Sequence, residues 1–131
     1  MPRPKLDPPA AIGLVRRAGG VAILAHPADV LPDEPLLGAL VEAGLAGLEV
    51  HYRGYPPETV ATLAAIARRH RLLATGGTDF HGDDGPYERA ASEVEVPASV
   101  GRRFRAALEA HPRPGRPRRK REPDRATLVG R

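Results

Sequence analysis

Three short apolar runs, each entered from an amphipathic stretch and each closed by polar residues, set the limits on how this chain can fold. They are Val-Ala-Ile-Leu-Ala at 21–25, Leu-Ala-Gly-Leu-Glu-Val at 45–50 and Leu-Leu-Ala-Thr at 72–75. Apolarity that is continuous rather than alternating marks strands covered on both faces, as in a parallel sheet. The segments between the runs have room for one helix each. Strands alternating with helices at this pitch predict right-handed βαβ crossovers and an α/β fold.

The intervening stretches carry helix signals. Asp7 stands as an N-cap with Pro8 at the first helical position, where a missing N–H costs nothing. Ile12, Val15 and Ala18 form an apolar stripe that Gly19 and Gly20 end. Asp33 caps a second helix through Leu36, Leu37, Leu40 and Val41, stopped by Gly44. Pro56, Pro57 and Glu58 open a third, with Val60, Leu63, Ala64, Ile66 and Ala67 facing inward. Arg68, Arg69 and Arg71 lie near its C-terminus, where the helix dipole favours cations. Beyond a Gly/Asp loop, Val94 and Val96 alternate with Glu93 and Glu95 as in a brief edge strand, and residues 98–110 read as a last helix.

Charge divides the chain unevenly. Of its 20 Lys and Arg, eight lie in residues 111–131 beside two acids, while residues 1–110 are slightly acidic. Four prolines set among arginines there cannot bury apolar surface, so 111–131 is expected to be a disordered basic tail and 1–110 the folded domain. The tail could hold nucleic acid or an acidic partner electrostatically, or be a solvated extension. Cysteine is absent, which excludes disulfides and thiolate metal sites. No stretch approaches the roughly 20 apolar residues of a membrane span, and the N-terminus lacks a signal-peptide core. No membrane association and a cytoplasmic location are therefore expected.

Polar groups gather just past the three runs: His26 after the first, Glu49 and His51 at the second, Asp79 and His81 after the third. In extended backbone, residues i and i+2 point the same way, so Asp79 with His81, and Glu49 with His51, are each expected to share a face. In open parallel sheets and barrels, functional groups collect at the C-terminal strand edge. Imidazole and carboxylate donors converging there suit a divalent cation, Zn²⁺, Mn²⁺, Fe²⁺ or Mg²⁺. The plainer alternative is an Asp turn beside a surface histidine. Glu49 and His51 stand as outer-layer or substrate-side groups. Arg53 can meet a phosphate with paired hydrogen bonds or be an ordinary loop arginine.

Ala-Gly-Gly-Val-Ala-Ile-Leu-Ala-His-Pro at 18–27, Gly-Leu-Glu-Val at 47–50 and Thr-Gly-Gly-Thr-Asp-Phe-His-Gly at 75–82 occur in one order and spacing. Together they closely resemble the PHP (polymerase and histidinol phosphatase) domain family. The nearest branch is similar to small metal-dependent phosphoesterases acting on nucleoside 3′,5′-bisphosphates and short RNA. The resemblance implies a (β/α)₇-type barrel, metal-assisted hydrolysis of phosphate esters, and His26, Asp79 and His81 as metal ligands. It covers residues 5–108, and the family's opening His-x-His motif has no counterpart before His26. Tyr55 stands where relatives often carry a histidine, and Thr78 where serine is commoner. The expectation is the C-terminal half of such a domain, inactive alone. Its partner would be a missing half encoded upstream of Met1, or a second copy through self-association. A non-catalytic interaction module is the alternative.

Overall fold

The computed structural model describes residues 5–30, 34–80 and 94–111. Helix α1 (Pro8–Arg17) leads into strand β1 (Ile23–Leu24), and a single 3₁₀ turn (Pro27–Asp29) follows it. Helix α2 (Glu34–Glu42) precedes β2 (Gly47–Tyr52), and α3 (Pro57–Arg69) precedes β3 (Leu73–Gly77). Helix α4 (Ala98–Ala110) ends the described chain. The three strands form one parallel sheet in the order β1-β2-β3, so each strand lies beside its neighbour in sequence.

The elements form where local signals demand. Pro8 occupies the first turn of α1, although the Asp7 side chain makes no capping hydrogen bond. After α1 the chain turns at Gly19 (φ 75°), and after α2 at Gly44 (φ 100°), a backbone region in which a side chain is penalised. Past α2, Leu45 N–H returns to the Leu40 carbonyl and Gly44 N–H to Val41, satisfying the last carbonyls before β2 begins. The Arg16 guanidinium also donates to the Ala43 carbonyl, tying α1 to the end of α2.

The core lies between the sheet and its helices. Leu48 and Val50 of β2 are fully buried, and Leu37 and Leu40 of α2 and Leu63 and Ala67 of α3 join them in one cluster with Ile12 of α1. Leu48 and Val50 thus mark the helix-facing side of β2. Gly47 is required by close packing: a Cβ there would lie 2.7 Å from both the Leu73 carbonyl oxygen and Ile23 Cδ1.

Two expectations about strands are corrected. The run at 21–25 pairs only at Ile23 and Leu24, because the backbone leaves the ladder toward His26-Pro27. Val94 and Val96 belong to no strand. Val96 instead lies over Gly76, its Cγ2 2.9 Å from where a Cβ on that glycine would be. Val96 is thus set by packing against Gly76 and not by strand pairing. The expected tail beyond His111 falls outside the described residues.

Candidate functional site

His26, two residues past β1, takes the left-handed conformation (φ 47°, ψ 47°) immediately before the buried Pro27. Proline restricts the residue preceding it, and a left-handed non-glycine residue costs about 1–3 kcal/mol, so the surroundings must hold this turn in place. Two residues from the neighbouring chain segment do so. The His26 N–H donates to Glu49 Oε2 at 3.0 Å, and the Ala28 N–H donates to the Tyr55 hydroxyl at 3.3 Å. The Glu49 carboxylate therefore anchors the backbone of His26.

Asp79, just past β3, is also left-handed (φ 54°). Its Oδ2 lies 3.8 Å from His26 Nε2, a contact that is an ion pair when the imidazole is protonated. The two side chains retain 40% and 28% of their exposure, so both remain open to a solute. Tyr52 stands between them. Its hydroxyl donates to Asp79 Oδ2 at 3.4 Å, and its ring meets the His26 imidazole edge-on, with centroids 4.8 Å apart at 70°. Tyr55 backs Tyr52 at 5.0 Å.

Tyr52 reaches this place because β2 is irregular. Glu49 pairs with Thr75 but His51 pairs with Gly76, so β2 carries one extra residue against β3. A bulge of this kind breaks the two-residue alternation and re-aims the side chains beyond it. The expectation that Glu49 and His51 share a face is corrected for that reason: Glu49 and Tyr52 flank His26. His51 lines a groove of about 430 Å³ with Val60 and Ala64 of α3. Gly76 makes the bulge possible, since a Cβ there would lie 2.6 Å from the His51 carbonyl oxygen. Arg53 lies with its guanidinium carbon 5.8 Å from the Tyr52 ring centroid. His81 falls outside the described residues.

The donor chemistry of His26 and Asp79 fits a divalent cation. Two donors on one tetrahedral ion at ligand distances of 2.0–2.1 Å stand about 3.4 Å apart, and the observed separation of 3.8 Å is close to that spacing. Among the described residues no group of three or more His, Cys, Asp or Glu side chains is placed to hold one ion. Glu49 is turned to the His26 N–H. Among the described residues the pair thus offers two donors and stands open to solvent.

Burial raises the Tyr55 phenol above its ordinary pKa of 10.0. The N–H of Ala28, which favours the phenolate, offsets part of this, while Asp29, Glu49 and Tyr52 add to the rise. Tyr55 accordingly stays neutral and keeps its contact with the 27–29 turn across the physiological range. Sequence reasoning passed over Tyr52. The signal that could have found it is the glycine pair at the end of β3, which marks a site where the partner strand bulges or approaches closely.

No family model matches the sequence. Three curated proteins are similar to it. Phosphoribosyl 1,2-cyclic phosphate 1,2-diphosphodiesterase of Eggerthella lenta is 43% identical over 83 residues, 61% of this chain and 30% of its own. The 5'-3' exoribonuclease Rnm of Escherichia coli is 34% identical over 94 residues, 69% of this chain and 32% of its own. The 3',5'-nucleoside bisphosphate phosphatase of Chromobacterium violaceum is 35% identical over 75 residues, 54% of this chain and 26% of its own. Among solved structures, a protein of Bifidobacterium adolescentis described as a metal-dependent phosphoesterase superposes with a TM-score of 0.66 at 37% identity, over 82% of this chain and 38% of that one. An amidohydrolase of Chromobacterium violaceum, with sulfate bound and no metal, superposes at 0.63 and 26% identity, over 78% of this chain and 37% of that one. The match spans about a third of the length of these relatives. Their names fit a PHP-like family of phosphoesterases. No helix among the described residues is long and apolar enough to cross a membrane.

Proposed function

We propose that the chain contributes one side of a PHP-type, metal-dependent phosphoesterase site acting on phosphate esters of nucleotides or short RNA. The observation that carries this reading is the meeting of His26 and Asp79, both in left-handed backbone, at the C-terminal edge of the parallel sheet. Strained non-glycine residues persist where the fold overdetermines them, and two such residues facing one another indicate a constrained site. The named activities of the relatives supply the reaction class.

In this reading His26 Nε2 and Asp79 Oδ2 hold the cation, with His81 as a third donor. The chemistry such a cation would supply when bound is activation of a water and polarisation of a phosphoryl oxygen. The protein's own part is orientation. Glu49 fixes the His26 backbone, Tyr55 fixes the turn beyond it, and Tyr52 packs between the two donors. Arg53 and His51, which line the groove beside α3, would border a bound phosphate ester. The sheet is read as part of a (β/α)₇-type barrel, with residues 111–131 as an appended basic segment.

Two donors among the described residues bind a cation more readily than they support turnover, because transition-state charge is stabilised only when the ion is rigidly held. The 131-residue chain is therefore expected to release phosphate from a nucleoside 3′,5′-bisphosphate or a short oligoribonucleotide at no more than the buffer rate, even with Mn²⁺. The test is phosphate release with His26→Ala and Asp79→Ala as controls. Robust release that survives His26→Ala would refute the site. Release that disappears with His26→Ala would instead show this chain to be sufficient and refute the half-site.

A further inference from the structure

We propose that Tyr52 is a positioning residue that sets the spacing of His26 and Asp79. This inference rests on the reading of those two residues as a cation pair. Tyr52 and the two groups it joins come from the ends of three different strands: His26 follows β1, Tyr52 ends β2 and Asp79 follows β3. Nothing local in the sequence fixes their distance, so a side chain that touches both is the natural spacer. Tyr52 touches both, the imidazole through its ring and the Asp79 carboxylate through its hydroxyl.

The two contacts differ in weight. At 3.4 Å the hydroxyl bond is longer than the usual O–H···O range of about 2.5–3.0 Å, so it steers the carboxylate without locking it. The ring contact lies inside the 4.5–7 Å range typical of aromatic pairs and is backed by Tyr55 at 5.0 Å. The ring therefore supplies the firmer constraint, and it acts on the His26 side of the pair. The bulge at β2 gives the arrangement its purpose. Without the extra residue, Tyr52 would fall on the opposite face from Glu49 and could not reach either donor. Groups that orient metal ligands from the next layer commonly change metal affinity by about 10–100-fold when removed.

The experiment compares the full chain with its Tyr52→Phe and Tyr52→Leu variants. Zn²⁺ affinity is read by calorimetric titration, alongside the NMR signals of the His26 ring and the Asp79 carboxyl carbon, with a thermal melt for each protein. Tyr52→Phe keeps the ring: Zn²⁺ binding weakens about tenfold, the Asp79 signal moves and the His26 signals stay. Tyr52→Leu also displaces the His26 signals, and binding weakens toward about a hundredfold. A purely structural tyrosine would lower the melt in step with the lost packing but would leave the Asp79 signal in Tyr52→Phe untouched. Wild-type Zn²⁺ affinity together with an unmoved Asp79 signal in Tyr52→Phe overturns the proposal, whether or not Tyr52→Leu folds. If the wild type itself binds no Zn²⁺, the cation reading fails. The two NMR signals then decide positioning alone: an Asp79 signal that moves in Tyr52→Phe supports it, and one that does not overturns it.

Discussion

The imidazole of His26 and the carboxylate of Asp79 meet at 3.8 Å from the ends of β1 and β3, two strands that do not pair with each other. Strand β2 lies between them and supplies the groups that bring them together. Glu49 holds the backbone of one, and Tyr52 touches the side chains of both. The edge of a parallel sheet thereby becomes a small polar site with a defined spacing.

The left-handed backbone at His26 gives a first prediction. Alanine there keeps the steric penalty of a Cβ, and glycine removes it. His26→Gly should therefore be more stable than His26→Ala by about 1 kcal/mol, while both lose the cation. Urea unfolding of the two variants checks this. Equal midpoints would show that the turn is not strained.

Gly76 gives a second. A methyl group there meets the His51 carbonyl oxygen at 2.6 Å, His51 Cβ at 2.7 Å and Val96 Cγ2 at 2.9 Å, and the first two belong to β2 near its backbone. Gly76→Ala should cost about 1–3 kcal/mol, as overpacking does, and should disturb Tyr52 through the bulge. Gly38 in α2 is the control, since nothing lies within 4 Å of its added Cβ. Gly38→Ala should stabilise by about 0.5–1 kcal/mol, the usual helix preference. Denaturant midpoints that fall together in both variants would contradict the packing account.

Tyr55 gives a third, through pH. Its folded pKa lies above the ordinary value of 10.0, chiefly because burial disfavours the phenolate. Below that ordinary value the phenol is neutral in both states and its contribution is fully present. As pH rises through about 10 and toward the folded pKa, the unfolded chain ionises first, and stability is lost. Stability measured from about pH 8 to about pH 11 should decline more steeply in the wild type than in Tyr55→Phe. Tyr55→Phe should also lose about 1 kcal/mol at neutral pH, because the Ala28 N–H loses its acceptor. Parallel pH profiles would show that Tyr55 titrates normally.

The regular part of the architecture was legible because its signals are local. The bounds of α4 at Ala98–Ala110 coincide with the last helix read over 98–110, and the parallel sheet follows from apolar runs whose Leu48 and Val50 are fully buried. His26 and Asp79 could be named because each follows a strand closely. What could not be read depends on register between strands. The extra residue in β2 lies in how Glu49 and His51 pair with Thr75 and Gly76, a relation between distant segments. Two-residue alternation therefore paired Glu49 with His51 and left out Tyr52. Val94 and Val96 misled for a related reason: Val96 packs over Gly76 and Val94 lines the groove beside α3, so contacts with distant segments and not strand pairing account for these valines.

The central claim is that His26 and Asp79 together hold a divalent cation. Its most direct test is a calorimetric Mn²⁺ titration of the 131-residue chain beside its His26→Ala and Asp79→Ala variants, with folding of each confirmed by circular dichroism. The account predicts one weakly held ion per chain in the wild type, no more than one, and none in either folded variant. No bound ion, two or more ions per wild-type chain, or undiminished binding in either variant would contradict it.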